Sequence, residues 1–152
     1  MREFLLFGFN SGLLPKAPGT WGSLVGAILG YLILLILPQS TLFLFASLIS
    51  VIAVKHIDIY EQQTGIHDDK RIVIDEIAGI WVAMSLAGGS LVAVIFSFIY
   101  FRILDIKKPS IIGKIDQKVE GGWGVMGDDL VAGVFAGILA AGSYGIYLKV
   151  FS

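Results

Sequence analysis

The sequence predicts an all-α fold: a membrane bundle of about five mostly transmembrane helices, with its polar loops gathered on the cytoplasmic face. Three observations carry that prediction. The 152 residues are 56% hydrophobic and 15% charged, where soluble chains carry about 25% charged residues. The apolar residues fall into five segments, at 22–37, 41–54, 72–87, 91–106 and 130–147. Charge is excluded from the connections "PQS" (38–40) and "GGS" (88–90). No repeat or linker divides the chain, so one domain over 1–152 is expected.

Taken in order, the opening "MREFLLFGFN" has an acid ahead of a short apolar stretch and no small-residue cleavage site after it, so no cleavable signal is expected. The Pro/Gly loop "SGLLPKAPGTWGS" (11–23) leads into the first segment, with Thr20 available as its N-cap. The second segment runs on as one helix to Thr64, where Gly65 ends it. The segments are shorter than the roughly 20 residues that cross ~30 Å of hydrocarbon. Lys55 and Arg102 can lengthen theirs by snorkelling; a soluble bundle of unusually apolar helices is the rival reading. Gly22, Gly26 and Gly30, and later Gly133 and Gly137, form stripes at four-residue spacing. Such stripes let helix backbones approach closely in lipid, and packing within the bundle is the expected use ahead of a homodimer seam. They leave the oligomeric state open.

Every Asp and Glu, and all Lys and Arg but Lys149, lie in the N-terminus, the stretch 55–76 or the stretch 102–129. If each segment crosses once, these regions share one face, which the positive-inside rule assigns to the cytoplasm. A net charge of −1 removes the electrostatic case for nucleic acid. The lack of cysteine removes thiolate chemistry.

Asp75 and Glu76, in "RIVIDEIAGIW", open an apolar run, where an uncompensated charge is costly and by default functional. Their side chains point about 100° apart on a helix, so one is expected in a central pocket and the other against a neighbouring helix. Asp58 with Glu61, Asp68 with Asp69, Asp105 after Arg102, and Asp128 with Asp129 complete the acidic group. Each has a plainer reading. Asp128 could cap an apolar helix after "EGGWGVMG", and Asp105 could pair with Arg102 at i−3. Asp58 could lie on a solvated face, and Asp69 beside Lys70 and Arg71 reads as ordinary surface. His56 and His67 are isolated and are not expected to be ligands. An all-oxygen donor set favours a hard ion, Mg²⁺, over Zn²⁺. Lys16 with the backbone of the Pro/Gly loop, and Arg102, could hold a phosphate; Lys107 and Lys108 are the kind of bases that meet lipid headgroups. The sum is Mg²⁺-assisted chemistry on a lipid phosphate or pyrophosphate, either hydrolysis or transfer.

In order along the chain, "LLPKAPGTWGS", "HDDKRIVIDEIAG", "FRILDIKKP" and "GGWGVMGDDLVAG" resemble the blocks of the bacterial phosphatidylglycerophosphatase A family, over about residues 12–137. The matching positions are Lys16, Pro18, Gly19, Thr20 and Trp21; Asp75, Glu76 and Gly79; Arg102, Asp105 and Pro109; and Gly121, Gly122, Gly124, Asp128 and Asp129. Glu61 and Asp68 fall where similar proteins carry acids. After the second of these the family often has proline, and this chain has Asp69. The resemblance implies a Mg²⁺-dependent enzyme of the inner membrane that converts phosphatidylglycerophosphate to phosphatidylglycerol and phosphate. On that basis Asp75, Asp105 and Asp129 are the expected catalytic carboxylates. Lys16, Thr20 and Arg102 would hold the substrate phosphate, and Glu61, Asp68, Glu76 and Asp128 the metal. Other lipid-phosphate enzymes fit worse: the D-x-D loop of haloacid-dehalogenase phosphatases and the D-G-x₂-A-R motif of CDP-alcohol phosphotransferases are both absent. A transporter would need ionisable residues at mid-membrane, which the segments lack, and a non-catalytic assembly protein would turn over no phospholipid.

Overall fold

In the computed structural model, which describes residues 1–152, the chain is all-helical. Seven α-helices run α1 Arg2–Leu6, α2 Pro18–Leu34, α3 Gln39–Thr64, α4 Ile74–Ala87, α5 Leu91–Lys107, α6 Ile111–Lys118 and α7 Gly121–Phe151, with one 3₁₀ turn at Ser11–Leu13. The architecture follows from α4, where 11 of 14 residues are buried and only Leu86, near its end, is exposed. Helices α2, α3, α5 and α7 wrap it.

The glycine stripes explain how so many helices reach one axis. A methyl on Gly26 would lie 2.8 Å from Ile80 Cγ2 and one on Gly30 2.9 Å from Met84 Cε, so the α2 stripe is the surface that seats α4. On the other side, a Cβ on Gly133 of α7 would come within 2.3 Å of the Gly79 carbonyl, and one on Gly79 within 2.7 Å of the Asp129 carbonyl. Here two backbones touch directly, which only glycine permits. Trp81 locks the α2 side by donating from Nε1 to the Gly26 carbonyl at 2.8 Å.

Two helices, α3 and α7, are long and apolar enough to cross a membrane. Of the five expected spans, α4 has 14 residues, about 21 Å of helix against ~30 Å of hydrocarbon. Its apolarity is accounted for by the four helices around it. Those four carry apolar side chains outward as well: Ile28 and Leu32 on α2, Leu44 and Leu48 on α3, Ile95 and Ile99 on α5, Ile138 and Leu139 on α7 are all exposed.

Three local expectations are corrected. Thr20 is not the N-cap of α2; Ala17 is, with Pro18 in the first turn, where its missing N–H costs nothing. The glycine-rich stretch before Asp128 is helix, not loop: α7 begins at Gly121, so Asp128 lies well inside it and caps nothing. The glycines there serve approach, since a Cβ on Gly122 would sit 2.3 Å from the Val54 carbonyl. The cap comes from a distant residue. Asp58, expected on a solvated face, accepts the Gly122 N–H at 2.7 Å. Gly65 does end α3, in the left-handed conformation (φ 70°).

Candidate active site

The polar end of the bundle encloses a cavity of about 860 Å³. Eight of the ten residues singled out from sequence line it: Glu61, Asp68, Asp75, Glu76, Arg102, Asp105, Asp128 and Asp129. They come from α3, the loop after it, and α4, α5 and α7, which the α4-centred packing brings to one end. The other two stand apart. Lys16 is exposed, in a left-handed conformation (φ 77°) just before the wall formed by Ala17–Gly19. Thr20 reaches the site through Arg102 Nη2, which donates to its Oγ1 at 3.2 Å.

At the centre, one carboxylate oxygen from each of Asp75, Glu76 and Asp129 lies within 4.8 Å of the others. Asp75 and Glu76 therefore share one focus, contrary to the expectation that they would part. Both stand in the first turn of α4, which has no side-chain cap. The pocket lies over that helix end, where side chains 100° apart can converge and the macrodipole favours negative charge. Asp75 is 9% exposed and Asp129 2%. Asp75 Oδ1, Glu76 Oε2 and Asp129 Oδ2 are buried without a hydrogen-bond partner. Buried polar atoms are nearly always paired, and three facing carboxylates without partners repel one another. A hard cation with oxygen preference would supply what all three lack.

The remaining acids divide by their partners. Glu61 accepts the Asp68 N–H at 3.0 Å and lies 3.4 Å from His67 Nδ1. It shapes the α3 wall rather than joining the central three. Asp128 accepts from Lys108 Nζ at 2.8 Å and from the Asp129 N–H at 3.0 Å. Lys108, read from sequence as a headgroup base, is instead an internal cation that also pairs with Asp116. Burial works against its charge, but the hydrogen bonds to Asp116 and Asp128 outweigh that and lift the ammonium above the usual lysine range. Asp105 does pair with Arg102 at i−3, and both are nearly buried on the cavity wall. Arg102 also donates from Nη1 to Ser23 Oγ at 3.3 Å, while its Nε is buried and unpaired. The wall formed by α2 comes so close that a Cβ at Gly19 would sit 2.4 Å from Glu76 Oε1 and push that carboxylate aside.

Asp69, read as surface, is buried. It accepts from Arg71 Nη2 at 2.7 Å and from Tyr60 Oη at 2.6 Å, and Arg71 lies over the Phe7 ring. The Arg71 hydrogen bonds hold the Asp69 carboxyl down at about 2. This cluster ties the 65–73 loop to α3 and to the N-terminal segment, and so fixes the approach to Asp75. No local signal in the sequence marks it, because Tyr60 is on another element.

The phosphatidylglycerophosphatase A family model matches residues 4–144. This chain belongs to the phosphatidylglycerophosphatase A family. It is 42% identical over 139 residues to the phosphatidylglycerophosphatase A of Escherichia coli, covering 90% of this chain and 80% of that one. It is 37% identical over 138 residues to that of Haemophilus influenzae, covering 90% and 85%. A Bacteroides thetaiotaomicron protein provisionally named a phosphatidylinositol-3-phosphatase is 36% identical over 142 residues, covering 88% and 87%. No solved structure matches. The family is one of phosphatases.

Proposed function

We propose that the chain hydrolyses the terminal phosphomonoester of phosphatidylglycerophosphate with the help of Mg²⁺, yielding phosphatidylglycerol and phosphate at the cytoplasmic face of the inner membrane. The names of its relatives support the substrate. The three unpartnered oxygens of Asp75, Glu76 and Asp129 support the ion, and they are the observation on which the reading rests. Those residues would hold it, and when bound it supplies Lewis-acid neutralisation of phosphate charge.

The chain's own groups do the rest. Arg102, fixed by Thr20, Ser23 and Asp105, lines the cavity and would engage the phosphate oxygens. One carboxylate among Asp75, Asp105 and Asp129 takes a proton from the attacking water, or attacks phosphorus itself to form an acyl phosphate that a second step with water cleaves to free phosphate. The bond to the glycerol oxygen breaks, and that oxygen leaves with a proton. A phosphoenzyme trapped from substrate labelled with ³²P at the terminal phosphate, and released by hydroxylamine as an acyl phosphate is, would assign the second route.

The exposed apolar faces of α2, α3, α5 and α7 support an embedded bundle with α4 inside it, the cavity and the N-terminus facing the cytoplasm. Because the chain has no cysteine, single cysteines placed at Ile66 and Gly89 can be labelled from either side of oriented vesicles. Opposite accessibility is expected.

The deciding experiment is phosphate release from purified protein with phosphatidylglycerophosphate, in Mg²⁺ and in EDTA. Release in Mg²⁺ alone is expected; equal release in EDTA removes the ion from the mechanism. The Bacteroides relative favours a second reading, a different lipid phosphomonoester. Phosphatidylinositol phosphate in the same assay separates the two by kcat/KM.

A further inference from the structure

A second hollow of about 530 Å³ lies on the opposite side of α4, and no residue lines both it and the acidic cavity. Ile77 and Trp81 of α4 form its floor, about 200° and 240° around the helix from Asp75. Its walls are α2, with Leu29 and Ile33, and α3, with Ile49 and Ile52. Helices α2 and α3 are consecutive in the chain, yet they hardly touch; each leans on α4 instead. The gap between them is the groove.

Of its 16 lining residues, 14 are hydrophobic, so water has almost no partners there. The two exceptions, Arg2 and His56, stand at the end toward the charged face. Arg2 donates to the neutral Gln63 Oε1 at 2.9 Å and pairs with no carboxylate. Glu3, next to it, is exposed and likewise unpaired. The His56 Nδ1–H is spent on the Ile52 carbonyl at 2.8 Å, which leaves Nε2 free. Along α3 the groove runs from Ile49 to His56, about 10 Å of helix, which fits within the ~15 Å of one leaflet's hydrocarbon. An apolar slot that fits within one leaflet, with an unpaired cation at its charged end, has the chemistry of one lipid type.

We propose that this groove holds an acyl chain of an anionic phospholipid that is not the substrate, its phosphate drawn to Arg2. The lipid fills the space that α2 and α3 leave open and ties α1 to the bundle. This rests on the membrane reading above, and the test separates the two.

Trp81 can be made the only tryptophan by Trp21→Phe and Trp123→Phe. That protein is reconstituted into vesicles of phosphatidylcholine and phosphatidylserine, with dibrominated chains on one lipid or the other, and is floated to verify insertion. Trp81 quenching is expected to favour brominated phosphatidylserine by about fivefold in apparent affinity, the preference one basic side chain near the surface supplies. Arg2→Gln should bring the ratio near one and Arg2→Lys should restore it. Equal quenching by both lipids, or none in protein that floats, overturns the proposal and leaves the membrane reading standing. Protein that does not float overturns both.

Discussion

Asp69 and Asp75 are six residues apart and both are buried, yet their surroundings are opposites. Asp69 accepts five hydrogen bonds, from Arg71 and Tyr60, and each of its oxygens is used. Asp75 leaves Oδ1 with nothing, as do Glu76 Oε2 and Asp129 Oδ2 beside it. A buried carboxylate with a full set of donors holds a fold together. A group of them with unpaired oxygens costs stability, which marks it as a candidate binding site. Burial alone does not separate structure from chemistry here; the partners do.

The contrast breaks most directly at the central three. Asp75→Asn or Asp129→Asn should lower phosphate release by about 10³-fold. With divalent ions removed, each variant should unfold at the same temperature as the parent or higher, because mutual repulsion falls. Retained activity in either folded variant would take that residue out of the site. Next in size, Arg102→Lys keeps the charge but loses the planar fork that engages Thr20, Ser23 and Asp105 together. A loss of about 10²-fold in kcat/KM is expected, with the thermal midpoint little changed.

The same test on the satisfied cluster should give the reverse pattern. Asp69→Ala should cost about 1–3 kcal/mol in a denaturant titration, while release by the folded fraction stays within a few-fold of the parent. The smallest effect is in pH. Asp69 is held down at about 2 from an ordinary 3.8, so its stabilisation is complete above the unfolded value and is lost as pH falls through the folded one. The stability gap between parent and Asp69→Asn should therefore be constant above about pH 5 and close on approach to pH 2. A gap that widens on acidification would contradict the assignment.

Much of this was legible because charge and apolarity are so sharply segregated. The cores of α2 to α5, the end of α3 at Gly65 and the gathering of the acids at one end all follow from pattern. What stayed hidden depends on contacts between elements distant in sequence. Glycine's low helix propensity reads as loop at 121–127, but α7 needs those glycines to approach α3, and tertiary packing outweighs propensity. Asp58 acts as a cap only because α3 and α7 meet, and Asp69 is buried only because Tyr60 overhangs it. Lys16 carried the family pattern, yet the chain turns it outward at a left-handed residue.

The Gly79–Gly133 contact lies about one turn from the carboxylates on both helices. It sets the distance between Glu76 and Asp129 by backbone thickness rather than by side-chain reach. An ion held between α4 and α7 would thus be gauged by two hydrogen atoms where methyls would otherwise stand. Widening that crossing with Gly133→Ala should shift preference from Mg²⁺, which takes oxygens at about 2.1 Å, toward the larger Ca²⁺, at about 2.4 Å. Ionic selectivity in this protein would then be written in residues that never touch the ion.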